Sequence, residues 1–334
     1  MKYLILGVNN RGFLNIGDYI QALASSQFLP HVDGFIQREE LDQYEGDEVK
    51  VIMNGWFMQH PEHWPPTENI NPLFVAFHVN DSVKDELLND AGIAYLKKHE
   101  PIGCRDTFTM NLLQKKGIEA YFSGCMTLTL GYKYKNPEID GKVYFVEPYI
   151  DQLHNPTYLL QSIPSMIRNL RSNLLIARKM GGGMKNFIKA TLFYNVYKKK
   201  FTKATLLNAE YMVQAGGDNW PDTDAELLRN AEEIIKKYST AALIVTQRIH
   251  CALPCLGIGT PVIYTTGVNE PKFSTCRFGG ILELFNVIRC NGTHLQPDFP
   301  TYGKISKENA PKNKNYWKPF ATSLKERCIN FLQD

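Results

Sequence analysis

The sequence predicts an α/β protein of two strand–helix domains facing each other across a cleft. Three observations lead there. Short apolar runs of strand length alternate with helical segments in both halves of the chain, the pattern of parallel sheets covered by helices. A turn-rich polar stretch, Gly131–Gly141, separates the halves. The length of 334 residues suits about two domains, each able to close its own core.

Taken in order, Lys2–Val8 is an apolar first strand. A polar loop, Asn9–Asp18, leads into a helix from about Tyr19 to Phe28, rich in Ala, Leu and Gln. Val49–Met53 and Leu73–His78 are buried strands, the former ended by Asn54-Gly55. Val83–Asp90 is a short helix, and Ala91–Leu96 carries the chain towards Pro101. Ile102–Cys104 is a brief strand; Asp106 or Thr107 caps the next helix and Gly117 ends it. Glu119–Phe122 is a further strand, and the first domain closes at residue 137. Lys142–Pro148 opens a second domain, 138–316, with strands near Thr205–Leu207, at Ala241–Val245 and at Pro261–Tyr264. Its helices fall at Asp222–Lys237 and just after His250. The tail 317–334 ends in a helix, about Pro319–Leu332, long enough to cross back over the first domain.

Composition narrows the class. Apolar residues at 44% and charged residues at 21% exclude disorder and fibrous repeats. A net charge of +3 is too balanced for a nucleic-acid binder, and no apolar run reaches membrane-spanning length. Seven scattered cysteines without a Cys-x-x-Cys pair, and a first strand too short for a secretory signal, lead us to expect a reducing cytoplasm.

One stretch stands apart. From Gln152 to Ala209 there is no Asp or Glu, yet ten basic residues occur, from Arg168 to Lys203, interleaved with Leu, Ile, Met, Phe and Tyr. Three readings of the insert 168–203 stay open: a face lying on an anionic membrane, at the inner side of the bilayer, a solvated helical insert, or a nucleic-acid contact, the last weaker because the rest of the chain is not basic.

Chemistry concentrates at strand tips, where open parallel sheets bind ligands. The strand ending at Thr246 presents Arg248 and His250 and turns at once into a helix, with Pro254 placed in its first turn. A fixed cation and an imidazole beside a helix N-terminus make a natural anion site. Arg105 holds a similar place after Ile102–Cys104, so two guanidiniums lining one cleft would clamp a small polyanion from both sides. Asp18, in the first strand-to-helix loop with Asn15 and Gly17, is either a base or simply a helix cap. Glu270 either reaches the cleft or solvates it. His60-Pro-Glu-His63 is half a zinc site at most, because Pro61 breaks the helical spacing, and no metal is expected. Gly181-Gly-Gly183 reads as a hinge within the insert.

Three blocks carry a resemblance: Asn15-Ile-Gly-Asp-Tyr-Ile-Gln-Ala-Leu-Ala24; Gly103-Cys-Arg-Asp-Thr-Phe-Thr109 with Gly117; and Thr246-Gln-Arg-Ile-His250 with Gly259-Thr-Pro-Val-Ile263. In this order they resemble the polysaccharide pyruvyl transferase family. The resemblance implies two facing Rossmann-like domains of the GT-B kind, the first on the acceptor side and the second on the donor side. It implies transfer of pyruvate from phosphoenolpyruvate to sugar hydroxyls as a ketal, a step that needs no cofactor; with the insert on a membrane, the glycan acceptor would be lipid-linked. Arg105 and Arg248 would bind phosphoenolpyruvate with His250 at the reacting centre, while Asn15, Gly17 and Asp18 would face the acceptor. The family's Gly-rich turn appears here as Met53-Asn-Gly-Trp-Phe57, and an Asp of its middle block is replaced within Gly124-Cys-Met-Thr127. The competing reading is a glycosyltransferase of the same shape that uses a nucleotide sugar.

Overall fold

A computed structural model describes residues 1–8, 14–136, 138–150, 157–216, 220–268 and 276–333. Twelve strands form two sheets of six. The first contains β1 (Lys2–Gly7), β2 (Gly34–Gln37), β3 (Val49–Phe57), β4 (Ile70–Val79), β5 (Ile102–Cys104) and β6 (Ala120–Phe122), in the order β2-β1-β3-β4-β5-β6. The second contains β7 (Val143–Val146), β8 (Glu210–Met212), β9 (Leu243–Thr246), β10 (Val262–Gly267), β11 (Asn286–Asn291) and β12 (His294–Pro297). Its order, β8-β7-β9-β10-β11-β12, repeats that of the first sheet. All pairings are parallel except β11 with β12. The order reverses between β1 and β3 in one sheet and between β7 and β9 in the other, which opens a crevice beyond the strand ends at each point.

The period-two alternation of the strands divides their side chains between layers. Leu4, Leu6, Val51 and Met53 face an outer core closed by Leu87 of the short helix α2 (Lys84–Leu87), Leu96 of α3 (Asp90–Lys98) and Leu113 of α4 (Thr107–Lys115). Val143, Phe145, Leu243 and Val245 face the opposite outer core. That core is covered by α7 (Leu170–Lys179), α8 (Gly183–Tyr197) and α9 (Lys203–Asn208), and includes Ile176, Phe193 and Tyr197, while α6 (Thr157–Arg168) packs on α8. Between the sheets lies one continuous core. Ile5, Ile52 and Val75 of the first sheet share it with Tyr144, Val146 and Ile244 of the second. Helices α1 (Ile16–Ser26), α10 (Asp224–Thr240) and α11 (Ile249–Ile258) fill this middle layer. The last helix, α12 (Lys318–Gln333), adds Leu324 and Cys328 and lies against the first sheet, where Lys50 Nζ donates to the Phe331 carbonyl at 2.7 Å.

Several elements differ from the sequence expectation. Thr205–Leu207 is not a strand. It lies in α9, whose first turn is closed by Thr202 Oγ1 accepting from the Thr205 amide, and the strand follows at Glu210–Met212. β3 does not stop at Asn54-Gly55 but runs through a register shift to Phe57. The polar link begins with a helical turn, α5 (Gly131–Tyr134), packed on α11: a Cβ on Gly131 would lie 1.9 Å from the Gly257 carbonyl oxygen. Pro254 falls in the second turn of α11 rather than the first, so the carbonyl of His250, four residues back, lacks its usual amide donor. Gly181, Gly182 and Gly183 all have positive φ and make the turn from α7 to α8.

Candidate functional site

The C-terminal ends of both sheets open on one cavity of about 360 Å³. From the first half it receives Asn15 and Asp18 beyond β1, Trp56 of β3, His78 of β4 and Arg105 beyond β5. From the second it receives Gln214 beyond β8, Gln247, Arg248 and His250 beyond β9, Tyr264 of β10, and Arg277. The structure thus brings Arg105, Arg248, His250, Asn15 and Asp18 together. Glu270 lies outside the described residues, as do residues 9–13 of the first loop.

Backbone pairing joins the two halves at this point. The Ile16 amide donates to the Gln214 carbonyl at 3.0 Å and the Gly216 amide to the Leu14 carbonyl at 2.9 Å, around a bridge between Asn15 and Ala215. Asn15, not Asp18, caps α1: its Oδ1 accepts from the Gly17 amide at 3.1 Å. Gly17 is small because His250 packs on it; a Cβ there would sit 2.9 Å from His250 Nδ1. The N-termini of α1 and α11 therefore meet at the cavity, and both direct their positive ends into it.

Arg105 is only 3% exposed, and its Nε has no hydrogen-bond partner. The nearest carboxylate oxygen, Asp106 Oδ2, stands 3.9 Å away and is already held by His78 Nδ1 at 2.6 Å. Asp106 Oδ1 caps α4 through the Thr109 amide. Burial disfavours the Asp106 carboxylate, but His78, Arg105 and that amide outweigh it and hold its pKa below the ordinary value. His78 itself is pushed down to about 4 by burial and the Arg105 guanidinium, so at neutral pH it is an uncharged donor to Asp106. A buried guanidinium without a full partner is costly, and an anion would remove that cost.

Arg248 is engaged differently. Its Nε and Nη2 bind Glu147 in a bidentate pair at 2.9 and 2.7 Å, which leaves Nη1 outside the pair. Glu147 ends β7 with φ 43, an uncommon angle for a side-chain-bearing residue, and its Oε2 also accepts from the Gln214 amide at 2.9 Å. One carboxylate thus ties the ends of three strands together. Arg277, on the turn Cys276–Phe278, stands with its guanidinium 5.0 Å from the Phe278 ring centre.

His250 is held well below its ordinary pKa by burial first, then by Arg105, Arg277, His78 and Arg248. Its Nε2 is buried and without a partner. It is therefore neutral at pH 7. Asp18 is shifted upward because burial outweighs the attraction of Arg38 and Arg105. It accepts from Gln21 Nε2 at 3.2 Å and lies 3.7 Å from the buried Arg38.

The sequence reading singled out neither Glu147, Arg277 nor His78. Glu147 had the same signal as Arg105, a charged group just past an apolar run. The exposed turn holding His60 and His63 is occupied by its own acids: His60 pairs with Glu62 and His63 with Asp42, both at 3.0 Å.

A family model described as polysaccharide pyruvyl transferase matches residues 15–266, about three quarters of the chain. The match runs from the Asn15 cap into β10 and takes in Asp18, Arg105, Glu147, Arg248 and His250, while Arg277 and α12 lie beyond it. No curated protein matches the chain.

Proposed function

This chain belongs to the polysaccharide pyruvyl transferase family, and we propose that it transfers pyruvate from phosphoenolpyruvate to two hydroxyls of a sugar, releasing phosphate and forming a ketal. The observation that carries the reading is the buried Arg105 guanidinium, whose Nε has no hydrogen-bond partner, in a cavity that Arg248 and Arg277 enter from the other half. Neutral sugars need no such excess of cations. A carboxylate and a phosphate on a three-carbon frame use it fully.

In this reading the second half holds the donor, with Arg105 reaching over from the first, in a GT-B-like division of labour. Arg248 is positioned by Glu147 and reaches the donor through Nη1. Binding a polyanion reverses the electrostatics at His250: the cations that keep it neutral become paired, and the imidazole takes up a proton. His250 then delivers that proton to the methylene carbon of the donor. A sugar hydroxyl adds to the central carbon and gives its proton to a base. The carbon–oxygen bond to phosphate then breaks, phosphate carrying away the bonding pair, and a second hydroxyl of the sugar adds to that carbon and passes its proton to the now neutral His250. Asp18, whose carboxylate is made more basic by burial, is our base for the sugar hydroxyl, with Asn15 and Gly17 shaping its loop. The step requires no cofactor. An enzyme that draws on phosphoenolpyruvate works in the cytoplasm, on a free or lipid-linked acceptor.

The test is phosphate release from phosphoenolpyruvate across a panel of sugar acceptors, with nucleotide sugars as controls. Acceptor-dependent release is expected. Turnover of a nucleotide sugar with indifference to phosphoenolpyruvate would instead make the chain a glycosyltransferase. Asp18→Asn is expected to keep donor binding and lower turnover by ~10²–10⁴-fold; unchanged turnover removes Asp18 as the base.

A further inference from the structure

Helices α7 and α8 pack on the outer face of the second sheet and α6 packs on α8, and among the described residues all three keep an exposed side. On that free side, apolar residues are exposed at helical spacing: Leu160, Ile163 and Ile167 on α6, Leu170 and Leu174 on α7, and Met184 and Ile188 on α8. Leu160, Ile167 and Met184 are about 70% exposed, at 72%, 69% and 73%. Arg168, Arg171, Arg178 and Lys185 are exposed among them. Such a surface is unusual for a soluble face, where large apolar side chains occur singly.

The charge around it is one-sided. No acidic residue occurs from Gln152 to Ala209. Among the described residues only Lys179 of the ten cations there makes an ion pair, at 4.0 Å to Glu210. Elsewhere some surface cations find acids: Lys236 reaches Glu232 and Glu233 on α10, and Lys2 reaches Asp47. The insert withholds them. No described helix is long and apolar enough to cross a membrane.

We propose that the α6–α8 face docks on an anionic lipid bilayer, with the apolar side chains entering the acyl boundary and the arginines and lysines lying among the head groups. Both halves of the pattern are needed for this partner and for no other of comparable chemistry. A nucleic-acid backbone would use the cations and leave the apolar groups unexplained, and an apolar protein partner would leave the cations unexplained. The inference goes beyond the transferase reading and does not depend on it, since it rests on surface chemistry alone.

Flotation of the full chain with phosphatidylglycerol–phosphatidylcholine vesicles and with phosphatidylcholine vesicles tests it. Binding to the anionic vesicles is expected, weakened by salt, with little binding to the neutral ones. Arg168→Ala and Arg171→Ala are each expected to weaken partitioning about fivefold, and Ile163→Ser with Ile167→Ser about tenfold or more. All four residues are exposed, so these variants retain the fold, and activity on a water-soluble acceptor is the control. Absence of binding to anionic vesicles overturns the proposal, as does equal binding to neutral ones. So does a wild-type dimer, seen by sedimentation, that Ile167→Ser dissolves, or retention of duplex DNA that competes with vesicles while the apolar variants bind both as well as wild type.

Discussion

Arg105 shows how a single side chain can be legible in sequence while its meaning is not. Its position after a short apolar strand marked it as a candidate, and so did those of Arg248 and His250, because parallel strands deliver their next residues to the ligand edge. Tertiary partners lay out of sequence reach. Arg248 is shared with Glu147, Arg105 has no hydrogen bond at Nε and only a 3.9 Å approach to Asp106, and His78 looked like one more core residue of an apolar run. Arg277 follows no strand directly and had no local signal. The buried Arg105 charge makes a sharp expectation. Arg105→Met should weaken phosphoenolpyruvate binding by roughly 10–150-fold, the worth of a charge-assisted hydrogen bond. The same variant should melt no lower than wild type, since it removes a desolvated cation. Titration calorimetry and thermal melts decide it: a lower melting point with donor binding intact would make Arg105 structural. His250 carries a second expectation. Its pKa lies well below the ordinary value and rises when an anion binds. Binding therefore takes up a proton near neutral pH, and the part of the affinity owed to His250 falls as pH rises through its bound-state pKa. Calorimetry in buffers of different ionisation enthalpy should detect the uptake in wild type and lose it in His250→Asn. Equal uptake in both proteins refutes the coupling.

Elements were legible where their signal was local. β5 falls on Ile102–Cys104 as the apolar run and the cap at Asp106 require. β2 was missed because it has four residues, of which only Phe35 and Ile36 are large and apolar. The β3–β4 pair hides a subtler feature. Met53 faces Phe74 and Gly55 faces Phe77, so β4 carries an extra residue, and Ala76 takes a positive φ of 53 there. The bulge shifts the alternation, so that Phe74 and Phe77, three apart, share the outer core and His78 turns to the cavity. No propensity announces such a shift. Helix contacts depend equally on glycines that look like loop residues in sequence. A Cβ on Gly257 would lie 2.3 Å from the Leu128 carbonyl oxygen. Gly257→Ala is thus expected to destabilise by about 1–3 kcal/mol through forced separation of α11 from the first half. Gly17→Ala meets a movable ring instead and should act on function: displacement of His250 should lower turnover at least tenfold with a small change in melting temperature. Denaturant unfolding and steady-state rates on both variants separate the two effects, and wild-type turnover in Gly17→Ala would end the argument for the α1–α11 contact as a positioning device.

At the scale of the molecule, the repeated strand order gives each half its own crevice, and the pairing of Asn15 with Ala215 joins the two crevices into one cavity. Gln37 Nε2 donates to Asp224 Oδ2 at 2.8 Å and the Tyr19 hydroxyl donates to Asp224 Oδ1. Tyr134 Oη donates to Glu232 at 3.0 Å. These links surround an apolar core to which both sheets contribute. Separating the halves would expose Ile5, Ile52 and Val75 together with Tyr144, Val146 and Ile244, so neither half keeps a closed core alone. A single calorimetric transition with matching van't Hoff and calorimetric enthalpies is therefore expected, although the chain exceeds the size at which two-state unfolding is usual. Because the cavity takes cations from both halves, donor binding should hold that one transition together. At a phosphoenolpyruvate concentration a hundredfold above Kd the stabilisation is about 2.7 kcal/mol, a rise of roughly 4 °C for a chain of this length. Two resolved transitions, only one of which moves with phosphoenolpyruvate, would mean that the donor touches one half alone and that the shared cavity is not where it binds.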